Sequence, residues 1–247
     1  MELAIVMPAY NESGCIEAVA RAWAGVAEKT GGKLIVVNDG SRDDTGAILD
    51  RLKSELASLL VIHQSNAGHG SAIVRGYHEA LANGARYVFQ TDSDGQLLPE
   101  DFWKLWEQRG GHPFILGFRE KRNDTGGRKI ISSINRGLNT LLFGVRVRDP
   151  NVPFRLMRAD LLREMLAMTP ENVFAPNIFL SILAAKSRIG LLEISVTHLE
   201  RKTGKVSIVG ARLLKACFRT AWELVRFRWV LFRSGARMAT LRARYAP

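Results

Sequence analysis

The chain predicts an α/β fold in which a mostly parallel sheet is covered by helices on both faces. Two observations carry this. Short runs rich in Val, Ile, Leu and Phe at residues 3–7, 34–38, 59–63, 87–91 and 114–117 read as strands. The segments between them place apolar residues at helical spacing over 16–27, 47–56, 71–82 and 101–106. Strands that alternate with helices pair in parallel, and helices on both faces turn each strand into a near-continuous apolar run.

In such a sheet a ligand binds in the crevice outside the carboxyl ends of the strands. Polar residues collect at four of these ends: 8–12, 39–45, 66–70 and 92–96. Ser13, Thr45 and Ser71 read as ordinary turn or N-cap residues. Turn chemistry does not account for three carboxylates, Asp39, Asp92 and Asp94, brought to one crevice. Asp92 and Asp94 flank Ser93, so alternation sends both carboxylates to the same side, with Gln96 two positions on. Hard oxygen ligands in this spacing suit Mg²⁺ or Mn²⁺ bridging a diphosphate.

Beyond the fifth strand the pattern changes. A Gly/Arg/Lys-rich loop over 119–129 has the polarity of a mobile lid. Helical spacing follows over 130–143, then a turn at 149–153, helices near 159–168 and 177–185, and a late strand at 189–197. The five histidines show no ligand spacing, and zinc is not expected. His69 reads as an exposed helix start.

The charge is local. The 247 residues carry a net +11, yet residues 1–200 hold 23 Lys/Arg against 23 Asp/Glu, while 201–247 hold 12 against Glu223 alone. Within 206–232, Leu, Phe, Trp and Val form long apolar arcs broken by Arg212, Lys215, Arg219, Arg226 and Arg228. This describes basic amphipathic helices lying in a membrane interface, with Trp222 and Trp229 near headgroup depth. Packing on the domain or a homodimer contact is the alternative use of the same arc. No window reaches the roughly 18 to 20 apolar residues that span a bilayer, so contact would be peripheral. Nucleic acid is not an expected partner, since no recognised binding motif accompanies the charge. Cys15 and Cys217 stand far apart and suggest no oxidative folding.

Five motifs occur in order: Val6-Met-Pro-Ala-Tyr-Asn-Glu12, Val36-Val-Asn-Asp-Gly-Ser-Arg-Asp-Asp-Thr45, Asn66-Ala-Gly-His-Gly-Ser-Ala72, Asp92-Ser-Asp-Gly-Gln96 and Arg201-Lys-Thr-Gly-Lys-Val-Ser207. Together they resemble the family 2 glycosyltransferases of the Rossmann-like GT-A fold, within them the dolichyl-phosphate mannose synthase-like group. The resemblance covers roughly 3–207. It implies a catalytic domain over 1–207 and a basic helical tail over 208–247.

It also implies an inverting, metal-dependent transfer of a hexose from a GDP- or UDP-sugar to a polyprenyl phosphate, on the cytoplasmic face of a membrane. Pro8, Ala9, Tyr10, Glu12, Val37, Asp39, Asp92 and Ser93 would hold the nucleotide sugar, with Asp39 near the base and Asp92 near the ribose or a metal-bound water. Asp94 and Gln96 would be metal ligands, and Arg201 and Lys205 would close over the diphosphate. Arg119, Arg128 and Ser132 would grip the acceptor phosphate. The group's Asp-x-x-Ser-Gly-Phe stretch is here Asp149-Pro-Asn-Val-Pro-Phe154, a departure that leaves a hydroxyl acceptor, with Asp149 as base, as the alternative. Arg155 and Arg158 are read as either structural or diphosphate-side.

Overall fold

The computed structural model describes residues 1–119, 137, 140–170, 173–200 and 211–246, with side chains in the last stretch described from 218 onward. Arg128, Ser132, Arg201, Lys205 and most of the expected lid therefore lie outside the described residues.

Seven strands are present among the described residues: β1 (Leu3–Ala9), β2 (Lys33–Asp39), β3 (Leu59–Gln64), β4 (Tyr87–Thr91), β5 (Phe114–Arg119), β6 (Phe154–Arg158) and β7 (Leu191–Val196). They form one sheet in the order β3-β2-β1-β4-β6-β5-β7, in which only the β4–β6 and β6–β5 pairings are antiparallel. Helices among the described residues include α1 (Ile16–Lys29), α2 (Thr45–Glu55), α3 (His69–Ala82), α4 (Pro99–Glu107), α5 (Ala159–Leu166), α6 (Pro176–Ser187), α7 (Ala211–Arg233) and α8 (Gly235–Tyr245). Right-handed crossovers put α1 and α2 on one face and α3 on the other, because the chain reverses direction along the sheet after β3.

The apolar runs explain the central strands. Every residue of β1 is buried, as expected for a strand covered on both sides. On the α1 face, Trp23, Phe89, Phe102 and Phe154 interlock through tilted and edge-on contacts with centroids 4.8 to 6.3 Å apart. Each such fully buried side chain contributes about 1.5–3 kcal/mol relative to exposure. On the other face α3 lies close because Gly76 has no side chain: a Cβ there would stand 2.3 Å from Val6 Cγ1.

β6 corrects the sequence reading, which passed from the turn at 149–153 directly to a helix. The run Phe-Arg-Leu-Met-Arg enters the sheet between β4 and β5, pairing Thr91 with Phe154 and Leu116 with Arg155. Its pairing is non-local and its second residue is a buried arginine, so no local alternation marks it. Thr45 also differs from its N-cap reading. It begins α2, and its hydroxyl accepts the Glu12 amide at 2.8 Å and donates to Asp43 Oδ1 at 2.6 Å, tying the first two strand-end loops together.

α7 carries two apolar faces. Thr220, Leu224, Phe227 and Leu231 are buried, with Phe227 against Phe179 of α6 and Phe143. Glu223 accepts the Phe174 amide at 3.0 Å, and Arg228 donates to the Leu142 carbonyl. The opposite face is outward: Phe218, Trp222, Val225, Trp229 and Phe232 are exposed, the last by 85%. Spacings of four and three residues align these five in one stripe. α8 folds back and buries Leu241 and Tyr245, and Arg244 pairs with Glu164 of α5 at 2.7 Å. Packing and outward apolar surface thus belong to two faces of the same helix. Among the described residues no helix is long and apolar enough to cross a membrane.

Candidate active site

The strand ends place the candidate residues around one crevice. At the end of β2, Asp39 is 3% exposed. Its Oδ1 accepts from Gln64 Nε2 at 2.7 Å and from the Ala67 amide at 2.8 Å, and its Oδ2 from the Gly68 amide at 2.9 Å. The carboxylate therefore shapes the β3–α3 loop. Gly40 makes this possible: at φ +67° it turns the chain where a Cβ would lie 2.7 Å from the Asn66 nitrogen. The loop after β1 is stitched to the loop after β2, with Asn11 Oδ1 accepting the Arg42 amide and Ser41 Oγ accepting the Asn11 amide. Pro8 and Ala9 are buried and Tyr10 is half-buried at this edge. Val37 is fully buried, its side chain near Gly76 of α3 rather than in the crevice.

Asp92 leaves β4 toward the crevice with its side chain about a quarter exposed. Gln90 Nε2 donates to its Oδ1 at 3.3 Å, and His69 Nε2 stands 3.7 Å from the same oxygen. His69 is exposed, as its helix-start reading expects, and it also faces the acidic centre. Burial pushes the Asp92 carboxyl up to about 6; Asp94 and Glu12 add to this, against the pull of His69 and Arg119. Ser93 is buried, and its carbonyl accepts from Cys15 Sγ at 3.4 Å.

Asp94 Oδ1 accepts the Gln96 amide at 3.1 Å, closing the turn. The chain after β7 returns to this turn: Leu199 donates its amide to the Gln96 carbonyl at 2.9 Å, and Gln96 Nε2 donates to the Leu199 carbonyl at 2.9 Å. Fixing the side-chain nitrogen of Gln96 in this way leaves its Oε1 as the ligand-type atom. Sequence spacing did not reveal this strap. Asp94 and Gln96 are hard oxygen donors and fit Mg²⁺ or Mn²⁺. Among the described residues no set of three His, Cys, Asp or Glu side chains converges.

Arg119 ends β5 and meets Asp149 in a two-pronged ion pair, Nε to Oδ2 at 2.7 Å and Nη2 to Oδ1 at 3.1 Å. The side chains are 13% and 6% exposed. The sequence placed both near the acceptor side without revealing that they pair.

The raised Asp92 carboxyl has a measurable consequence. Its folded value near 6 exceeds the unfolded value of 3.8, so the folded protein binds more protons between these limits and loses stability as pH rises through them. Above pH 6 the ionised group costs the metal-free fold on the order of 1–3 kcal/mol. Asp92→Asn is therefore expected to raise Tm in EDTA at pH 7.5, to give no gain near pH 3.5, and to depress turnover. Thermal melts at the two pH values check the first two outcomes.

An open, mostly parallel α/β sheet with acidic side chains at the carboxyl ends of β1, β2 and β4, beside an arginine at the end of β5, has the architecture of the GT-A fold, with its ligand crevice at those strand ends. Residues 4–166 match the model of Glycosyl transferase family 2, and the chain belongs to that family. It is a glycosyltransferase. Among its relatives, the polyprenol monophosphomannose synthase of Mycolicibacterium smegmatis is 26% identical over 226 residues, covering 88% of this chain and 84% of the relative. The undecaprenyl-phosphate mannosyltransferase of Micrococcus luteus is 26% identical, covering 93% and 96%. An undecaprenyl-phosphate 4-deoxy-4-formamido-L-arabinose transferase of Pseudomonas paraeruginosa is 27% identical, and the chain spans 63% of its length. Among solved structures, glucosyl-3-phosphoglycerate synthase from Mycobacterium tuberculosis, crystallised with Mn²⁺, UDP and glucosyl-3-phosphoglycerate, superposes with a TM-score of 0.68 at 19% identity. It covers 92% of this chain and 80% of its own, and the likeness is one of fold.

Proposed function

We propose that this glycosyltransferase moves a hexose from a GDP- or UDP-sugar to a polyprenyl phosphate, with inversion, at the cytoplasmic face of a membrane. The relatives named for polyprenol and undecaprenyl phosphate support the acceptor class. The observation that carries the reading is the Arg119–Asp149 pair. Both oxygens of Asp149 accept from the guanidinium, which makes it a poor general base for a hydroxyl acceptor. A phosphate monoester, with a second pKa of about 6, arrives ionised and needs no base. Held beside Arg119, its oxygen attacks the anomeric carbon as the diphosphate departs from the opposite face.

In this reading Asp94 and Gln96 hold Mg²⁺ or Mn²⁺, which when bound neutralises charge on the leaving diphosphate. Asp39, Glu12, Tyr10, Asp92, Ser93 and the backbone of Pro8, Ala9 and Val37 seat the nucleotide sugar. Arg201 and Lys205 close over the diphosphate, and Arg128 and Ser132 join Arg119 on the acceptor phosphate. Residues 1–207 act as the catalytic domain. A cavity of about 450 Å³ beside the Asp149 turn, with Val145, Val147, Pro150 and Ile182 among its lining and Arg146 and Arg148 at hand, offers apolar surface next to cationic groups. The outward stripe of α7, flanked by the exposed Arg226 and Arg233, supports peripheral attachment to anionic lipid, each cation near the surface adding about 1 kcal/mol.

The test is transfer from labelled GDP- and UDP-hexoses to undecaprenyl phosphate in detergent, with Mg²⁺, Mn²⁺ or EDTA. A metal-dependent lipid-linked product from one nucleotide class is the expected result; no lipid product with any donor would sink the reading.

A further inference from the structure

Arg155 is the most deeply buried charge in the described protein, at 0% exposure, and its hydrogen bonds go to neutral oxygens. Nη2 donates to the Pro150 carbonyl at 3.2 Å and the Val152 carbonyl at 2.7 Å, Nε to Val152 again at 3.2 Å, and Nη1 to the Asn177 carbonyl at 2.9 Å and Ser181 Oγ at 3.4 Å. Ser181 Oγ also donates to the Pro150 carbonyl at 2.8 Å. The turn that presents Asp149 is thus gripped from beneath by α6.

The same group reaches the other side of the crevice. Asn177, whose carbonyl Arg155 holds, donates from Nδ2 to Gln90 Oε1 at 2.9 Å, and Gln90 donates to Asp92. Desolvating a guanidinium is costly, and an apolar residue at this strand position would fill the space without that cost. A buried charge with five donors does what an apolar side chain cannot: it fixes several backbone carbonyls at once.

We infer that Arg155 is a positioning residue, which through the Pro150 and Val152 carbonyls and the Asn177–Gln90 bridge holds Asp149 with its partner Arg119, and Asp92, in one frame. It acts through these groups and touches no substrate. Of the groups that seat the nucleotide sugar, Asp92 is the one tied to this network, while the loops after β1 and β2 are not among the described hydrogen-bond partners of Arg155, so its loss is expected to lower turnover more than nucleotide affinity.

The turnover arm rests on the proposed acceptor; hydrogen exchange does not. Arg155→Met and the milder Ser181→Ala are to be compared with the wild type by amide hydrogen exchange, by nucleotide titration, and by transfer to undecaprenyl phosphate. Arg155→Met is expected to accelerate exchange over 149–153, to leave nucleotide Kd within about threefold, and to lower kcat by about a hundredfold, the scale of a 1 Å misplacement. Ser181→Ala should move the same amides and kcat in the same direction by less, and Arg155→Lys should not restore the wild-type exchange pattern. Unchanged exchange at 149–153 in both Arg155→Met and Ser181→Ala, or a uniform loss of protection and nucleotide affinity, overturns the inference. Should the wild type transfer to no lipid phosphate, the acceptor reading fails while the exchange result still decides the role of Arg155.

Discussion

Asp94→Ala is expected to lower transfer by about a thousandfold or more while leaving the fold intact. The side chain accepts the Gln96 amide in a tight turn, and a hydrogen bond of this kind is worth about 1 kcal/mol, small beside the stability of a whole domain. Stabilising the leaving diphosphate through a metal is worth several kcal/mol, and each 1.36 kcal/mol is tenfold in rate. The effect should therefore appear in turnover and in Mn²⁺ affinity measured with the nucleoside diphosphate, with Tm nearly unmoved. Wild-type Mn²⁺ affinity in the variant would remove Asp94 from the metal site.

Arg119→Met should be severe in both stability and activity. It leaves Asp149 at 6% exposure without its two-pronged partner, and breaking such a pair from one side costs about 3–5 kcal/mol. It also removes a cation proposed to hold the acceptor phosphate, so turnover should fall even where the variant remains folded. Asp149→Asn provides the contrast. It keeps one acceptor oxygen for Arg119 and should lower transfer only modestly, because an ionised phosphate acceptor requires no base. Urea melts and acceptor KM separate the two effects; abolition of turnover by Asp149→Asn, with Tm maintained, would restore Asp149 to the role of base.

Much of the fold was legible because β1, β2 and β4 are buried on both faces and appear as apolar runs bounded by polar turns. β6 was not, since Phe-Arg-Leu-Met-Arg carries a charge into the interior and owes its strand state to β4 and β5 on either side. The crevice residues could be assembled from strand ends, whereas their partners could not. Arg119 and Asp149 lie 30 residues apart, and Gln90 and Asn177 lie 87 apart. Such pairings follow from topology, and local spacing holds no trace of them. The tail shows a similar limit: helical spacing disclosed its apolar positions, but only contacts with Phe143 and Phe179 decide that Phe227 is inside and Trp229 outside.

Whether the proposed acceptor is a lipid phosphate is decided by offering undecaprenyl phosphate and undecaprenol side by side, in the same detergent, with the same labelled nucleotide sugar and Mn²⁺. Label is expected in an acid-labile glycosyl phosphate from the phosphorylated lipid and none from the alcohol. Transfer to the alcohol at a comparable rate, in a reaction that Asp149→Asn abolishes, would contradict the lipid-phosphate reading.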